Sequence, residues 1–150
     1  MSQSLAGIFL HIVFSTRNRE PHIRADVEPR LHAYLATTCR ENGCHAYRVG
    51  GTTDHIHIAT TLSQTLTVAQ LVEELKKSSS KWMKTHGSHF KSFYWQRGYG
   101  VFSVGASHLE ALKRYIDRQH EHHRRITFKD EFRTFLEKYH IEYDERYVWD

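Results

Sequence analysis

The order in which two hydrophobic patterns follow one another along the chain constrains its fold more than any other feature. Alternation with period two predicts β-strands, and apolar residues at every third or fourth position predict α-helices. Strands are predicted at 7–16, 44–49, 55–62 and within 94–104, and helices after Asp26, Thr67, Ser107 and Thr127. This β-α-β-β-α-β order, with two further helices, predicts an α+β fold of the ferredoxin-like type, in which an antiparallel sheet has helices on one face plus C-terminal helices.

Short polar signals are expected to set the ends of these elements. They comprise an N-cap at Asp26, a stop at Asn42-Gly43, capping boxes at Thr67/Gln70 and Ser107/Glu110, and a turn beginning at Gly50-Gly51. The third helix is expected to run to about His120.

Length and composition limit the class of protein. The 150 residues fit one domain, 1–150. No apolar run approaches membrane-spanning length and no basic leader precedes the first apolar stretch, so a cytoplasmic protein is expected. Cys39 and Cys44 lack the spacing of a paired motif and are expected to be plain thiols. They could bind zinc only if the fold placed two further ligands beside them. The net charge of +4 permits nucleic-acid binding without requiring it.

The triplet His55-Ile56-His57 begins the third predicted strand. Side chains in a strand alternate between faces, so His55 and His57 share a face while Ile56 points the other way. If the apolar side faces the helices, both histidines lie on the open face of the sheet, where a metal and substrate can reach them. Imidazole suits Mn²⁺ and similar ions. An isolated pair of this kind is also common as two solvated histidines.

Tyr115 and Gln119 are four residues apart on the third predicted helix and therefore share a face. A phenol there is either an amphipathic side chain at a helix–sheet boundary or a nucleophile beside a metal site. His120, His122 and His123 follow; they either extend that metal site or line the helix end, and we favour the helix end.

Basic residues mixed with aromatic ones suit single-stranded nucleic acid, which offers phosphates and exposed base faces. The candidate DNA-binding residues are Arg17, Arg19, Lys77, Lys81, Lys84 and Arg97. A solvated helix face, aided by a Glu73–Lys77 pair, explains the lysines equally well.

Three segments together resemble a known family. They are 54–57 (DHIH), 94–104 (YWQRGYGVFSV) and 115–123 (YIDRQHEHH). In this order and spacing they resemble the single-tyrosine HUH transposases of the insertion-sequence 200/605 group, including the repeat-associated tyrosine transposases. The resemblance extends over nearly the whole chain, from the first strand to the helix after Thr127. The segment 51–54 lacks the proline that many relatives carry, which should change the stiffness of the loop more than the chemistry.

The resemblance implies a DNA transposase. His55, His57 and Gln119 would hold a divalent metal, Mg²⁺ or Mn²⁺, and Tyr115 would be the nucleophile. Single-stranded DNA with hairpin ends would be cleaved and rejoined through a 5′-phosphotyrosine intermediate. A homodimer with composite active sites is implied, the tyrosine helix of one subunit serving the histidines of the other. No small-molecule cofactor is expected.

Two residue-level questions and two other functions stay open. Asp54 is expected either to orient a histidine from outside the metal site or to cap the turn before the strand. The segment 142–150 matches no motif and is expected to face a partner or the dimer. The alternative functions are a metal-dependent single-strand phosphodiesterase, in which water attacks, and a non-catalytic single-strand nucleic-acid-binding module. Against the common RNA-binding version of this fold, 99–102 is a poor match to the aromatic recognition run.

Overall fold

The computed structural model describes residues 2–150. Its sheet contains β1 (Phe9–Ser15), β2 (Ala46–Gly51), β3 (His55–Thr61) and β4 (Gly100–Val104). The α-helices are α1 (Glu28–Glu41), α2 (Val68–Lys84), α3 (Leu109–Asp117), α4 (Gln119–His122) and α5 (Phe128–Lys138). The strands lie in the order β2-β3-β1-β4, and every neighbouring pair is antiparallel. This arrangement confirms the predicted α+β, ferredoxin-like fold.

The main hydrophobic core lies between one face of the sheet and helices α1 and α2. Even-numbered residues of β1 and β3 point into it, as the period of a strand requires. The fully buried members include Ile12, Phe14, Ile56 and Ile58 from the sheet, Leu31 and Leu35 from α1, and Leu71 and Leu75 from α2.

A second, smaller core covers the opposite face of the sheet. Val13 and Phe102 pack there against Phe128, Phe132 and Leu136 of α5. Helix α3 also crosses this side, in contact with β2 and β3. The prediction that His55 and His57 lie on an open face is therefore wrong: both have no exposed surface, because the C-terminal helices cover them.

Several predicted helix ends are confirmed and two are wrong. Thr67 and Gln70 form a capping box in both directions, Thr127 caps α5, and Gly43 at φ +74° follows the end of α1. Asp26 does not cap α1, because a turn places Val27 at the cap position. Ser107 does not cap α3 either, because a 3₁₀ turn over Ala106–His108 precedes the helix.

The third predicted helix is two helices. Arg118, at φ −101° and ψ 17°, lies outside the helical region and separates α3 from α4. Tyr115 is therefore on α3 and Gln119 is on α4, and Arg118 alone joins the two helices. Among residues 2–150, no helix is both long and apolar enough to cross a bilayer.

The turn predicted to begin at Gly50-Gly51 is wrong, because β2 continues through both residues and the turn begins after them. Strand β4 lies within the predicted segment 94–104 and begins at Gly100. The segment 142–150 is exposed over most of its length, and its contact with a partner or the dimer stays a prediction. Trp149 is 9% exposed and contacts Phe132, and Arg133 forms an ion pair with Glu145.

Candidate metal and tyrosine site

His55 and His57 are each held in a fixed orientation by a polar neighbour of the Nδ1 atom. The Nδ1 of His55 lies 2.7 Å from Oδ1 of Asp54, which also accepts a hydrogen bond from Thr52 at 3.0 Å. The Nδ1 of His57 lies 2.7 Å from Nε2 of His11, a buried residue of β1. Each contact aims the Nε2 atom inward, toward the C-terminal helices. Asp54 therefore lies where a residue that orients a histidine is expected.

Glu131 of α5 brings a buried carboxylate to the same place. Its Oε1 accepts a hydrogen bond from Nε2 of His57 at 3.0 Å and lies 3.2 Å from Nε2 of His123. Burial alone would raise the pKa of Glu131, but its hydrogen bonds to His123 and His57 outweigh burial and lower this pKa. The carboxylate is therefore ionised, as a metal ligand must be.

Gln119 lies between His55 of β3 and His123 of the C-terminal segment. Its Oε1 is 2.9 Å from Nε2 of His55 and 3.0 Å from Nε2 of His123. Its Nε2 donates to Oε2 of Glu131 at 3.1 Å, which fixes the amide orientation. The structure thus brings Gln119 to the predicted histidines despite the break at Arg118.

These side chains fit a divalent metal. One ligand atom from each of His55, His57, His123 and Glu131 lies within 4.8 Å of all the others, and we call these four residues the donor cluster. The Nε2 of His55 lies 2.9 Å from Oε1 of Gln119, so the amide oxygen is a further potential ligand beside these four residues. Imidazole and carboxylate donors suit Mn²⁺ and neighbouring ions.

The pKa values of the histidines on this side of the sheet are shifted in different directions. Burial lowers the pKa of His57 to about 4, so His57 is neutral at neutral pH and can act as a ligand. Burial, together with the nearby His57, also lowers the pKa of His11. Burial would lower the pKa of His123 too, but its contact with the Glu131 carboxylate outweighs burial and raises this pKa.

Tyr115 reaches the cluster from α3 of the same chain. Its phenolic hydroxyl donates a hydrogen bond to Oε2 of Glu131 and lies 3.4 Å from Nε2 of His122. Burial and the Glu131 charge raise the pKa of Tyr115 well above its ordinary value, so the phenol holds its proton. The predicted convergence of the histidine pair with the phenol and the amide is therefore present within one chain.

The predicted DNA-binding residues lie in several places. Arg17 and Lys84 approach the ring of the half-exposed Tyr94, their charged groups 5.9 and 4.3 Å from its centroid. Lys77 and Arg97 line one cleft of about 460 Å³. Lys81 is exposed on α2.

Two basic residues in this region have structural contacts. Arg19 donates to the carbonyl of Trp149 and so holds the C-terminal segment. Lys76, which the sequence did not single out, donates to the backbone carbonyls of residues 96, 97 and 98.

Sequence reasoning missed two residues of the site, His11 and Glu131. Glu131 shares the apolar face of α5 with Phe128, Phe132 and Leu136, and a carboxylate on such a face is a usable signal. His123 lies at the end of α4, the position that the sequence favoured, and its ring also lies in the donor cluster, as the other alternative expected. The two cysteines have no part in the site; both are free and buried.

Comparisons with known proteins assign the chain to a family and agree with its fold. Residues 4–119 match the family model described as "Transposase IS200 like". A solved structure of a candidate transposase from Deinococcus radiodurans R1 superposes with a TM-score of 0.62 at 19% identity, covering 79% of this chain and 98% of that one. A REP-associated tyrosine transposase bound to a REP hairpin superposes with a TM-score of 0.61 at 16% identity, covering 82% and 74%. No curated protein matches. Since the family model covers most of the chain, the protein belongs to the IS200-like transposase family.

Proposed function

We propose that this protein cleaves and rejoins single-stranded DNA at the ends of a mobile element, with Tyr115 as the nucleophile. The observation that carries the proposal is the contact between the Tyr115 hydroxyl and Glu131, a member of the donor cluster. A phenol directly beside a metal-type donor set is what cleavage with covalent retention of the product requires.

The proposed reaction exchanges one phosphoester for another. The phenolic oxygen of Tyr115 attacks phosphorus, and the bond between phosphorus and the 3′ oxygen breaks. The products are a 5′-phosphotyrosine and a strand with a free 3′-hydroxyl, so the phenolic proton is in effect transferred to the leaving oxygen. Because the ester bond energy is retained in the adduct, a second 3′-hydroxyl can reverse the step and join new ends.

The residues of the chain prepare this attack. The hydrogen bond to Glu131 holds the Tyr115 hydroxyl beside the donor cluster. A divalent ion, Mg²⁺ or Mn²⁺, held by His55, His57 and Gln119 with Glu131 and His123, would offset the carboxylate charge and polarise the scissile phosphate. Asp54 and His11 would keep the two histidine rings in place.

The DNA substrate is proposed to carry hairpins near the cleavage site. The structural neighbour bound to a REP hairpin supports this proposal. The basic and aromatic surface around Tyr94, with Arg17, Lys84 and Arg97, offers both stacking and phosphate contacts. We expect the enzyme to act in the cytoplasm, where such DNA is available.

A covalent-adduct assay tests the proposal. The protein is incubated with Mn²⁺ or Mg²⁺ and labelled single-stranded DNA that carries the element end, and the products are separated on a denaturing gel. We expect a protein–DNA band that Tyr115→Phe abolishes, while Tyr147→Phe, a change at an exposed tyrosine, leaves it unaltered. Cleavage that survives Tyr115→Phe would instead identify the phosphodiesterase. Binding without cleavage under every metal would identify the non-catalytic module.

The homodimer with composite sites stays a prediction with its own test. Within one chain Tyr115 already contacts Glu131, so a composite site requires subunits to exchange α3 and α4. Mixing Tyr115→Phe with His57→Ala protein would restore adduct formation if the subunits exchange these helices. No restoration is expected if each chain uses its own tyrosine.

A further inference from the structure

A cleft of about 560 Å³ opens directly beside Tyr115, and its lining residues are distinct from those of the donor cluster. Its lining includes Tyr115, His122, Glu121 and three arginines, Arg114, Arg118 and Arg125, and we call it the arginine cleft. The three guanidinium groups belong to exposed residues, whereas Tyr115 is only partly exposed. The phenol therefore lies between a buried set of donors and an open cationic surface.

The arginines share one side of the α3–α4 segment. All three line the arginine cleft, so the fold places them on a common side although Arg118 interrupts the helix and Arg125 follows the end of α4. Three separate guanidinium groups offer more contacts than a single phosphate group needs, and they suit a stretch of nucleic-acid backbone.

The charges of the arginine cleft are not neutralised within the chain. Among residues 2–150, no carboxylate lies within ion-pair distance of Arg114, Arg118 or Arg125. By contrast, the neighbouring Lys113 pairs with Glu110, and Asp117 pairs with Arg48. Glu121 contributes one negative charge, so three arginines less one carboxylate give the lining a formal charge of +2.

We propose that the arginine cleft binds the phosphates of the DNA strand that flank the scissile phosphate and delivers that strand to Tyr115. This inference rests on the proposed function, since it concerns how the substrate reaches the same tyrosine. Arginine is suited to the task because its planar fork binds phosphate oxygens in pairs and keeps its charge at every physiological pH. The strand would contact these side chains through its backbone, independently of base sequence.

The first test measures binding as a function of salt. The probe is a fluorescein-labelled single strand of mixed sequence, with EDTA present so that no cleavage occurs. Each of Arg114→Gln, Arg118→Gln and Arg125→Gln is expected to reduce the slope of log K against log salt by about 0.7, the value for one phosphate contact on a single strand. The triple variant is expected to lose the sum of the three effects.

The matched control removes equal charge elsewhere. Arg24, Arg30 and Arg40 lie on or next to α1, on the opposite face of the sheet from α3. Their triple change to glutamine should leave the slope unaltered, and thermal melts would verify that both triple variants fold. If the arginine-cleft variants keep the wild-type slope, the proposal is wrong. An altered subunit association with unchanged DNA binding would also overturn it, in favour of a protein-binding surface.

A second measurement separates this proposal from the proposed function. Neutral methylphosphonate linkages replace single phosphates beside the cleavage site, and adduct formation is timed. With wild-type protein, a methylphosphonate at a contacted position should slow adduct formation by the same factor as the matching arginine variant does on unmodified DNA. The variant and the methylphosphonate together should slow adduct formation no more than either change alone. If wild-type adduct forms but the arginine variants form it as fast as wild type, or their losses add to those of the methylphosphonates, only the arginine-cleft proposal fails. If no adduct forms although binding depends on the arginines, the proposed chemistry fails.

Discussion

Glu131 contacts more members of the site than any single histidine does. One carboxylate oxygen faces His57 and His123, and the other faces Tyr115 and Gln119. A buried carboxylate with four polar partners is strongly held, and removing one partner would leave charge uncompensated. The same residue therefore links metal binding to the position of the nucleophile.

Glu131→Gln should weaken divalent-metal binding at least tenfold while the fold remains. The amide keeps the shape of the side chain but lacks the charge that a hard cation favours. Calorimetric titration with Mn²⁺ measures the change, and Glu137→Gln, an exposed position of the same helix, is the control. Equal Mn²⁺ affinity in wild type and Glu131→Gln would exclude Glu131 as a ligand.

Cys39 and Cys44 should be unreactive in the folded protein. Both are at most 1% exposed, and burial raises the pKa of Cys39 to about 12. The reactive thiolate of Cys39 is therefore nearly absent near neutral pH. Mass spectrometry after iodoacetamide treatment should find no native modification and two modified thiols after unfolding. Rapid alkylation of the native chain would contradict the described packing of α1 on the sheet.

The position of α3 depends on a close approach to β2. Gly50 pairs with His57 in the sheet, and a Cβ at Gly50 would lie 2.6 Å from Cγ2 of Ile116 and 2.8 Å from its carbonyl oxygen. Only a glycine allows this contact without displacement of the helix. Because Tyr115 precedes Ile116, the approach also sets the distance of the phenol from the donor cluster.

Gly50→Val should displace α3 and slow adduct formation at least tenfold. Overpacking at this contact should also cost roughly 1–3 kcal/mol of unfolding free energy. Gly7→Val is the control, since a Cβ there meets no atom within 4 Å. Wild-type metal affinity in Gly50→Val would show that the slower reaction results from the displaced helix and not from loss of the ion. Normal adduct rates in that variant would show that the contact does not position Tyr115.

The sequence predicted those elements whose signals are local. The period of β3 placed His55 and His57 on one face, and the Thr67–Gln70 box set the start of α2, because both depend on near neighbours. The Ser107–Glu110 spacing failed because a 3₁₀ turn occupies the residues before α3. The pairing of Glu131 with His57 joins residues 74 positions apart, and no local pattern specifies which strand α5 will cover.

In the molecule as a whole, one sheet separates two packed layers, which differ in the polarity of their buried groups. The layer with α1 and α2 is mainly apolar, with hydroxyl groups such as that of Ser79 among its buried polar groups, whereas the layer under α5 encloses imidazole, amide and carboxylate groups. The donor cluster draws His55 and His57 from β3 but His123 and Glu131 from the C-terminal segment. A bound ion would therefore tie that segment to the sheet.

Mn²⁺ should raise the thermal midpoint of the protein. A ligand at one hundred times its dissociation constant stabilises the native state by about 2.7 kcal/mol, which is roughly 5–10 °C for a domain of this size. Differential scanning fluorimetry over a Mn²⁺ series measures the shift, which EDTA should reverse. His57→Ala should abolish the shift and His86→Ala, just beyond the C-terminal end of α2, should keep it. A shift that persists in His57→Ala would locate the ion elsewhere.

The match to the family model ends at Gln119, whereas Glu131 and the helix that carries it come later in the chain. The histidine pair, the phenol and the amide thus lie within the matched residues, whereas two members of the donor cluster, His123 and Glu131, lie beyond them. A substitution in α5 that moves the Glu131 carboxylate would therefore disturb the ion and the attacking oxygen at the same time.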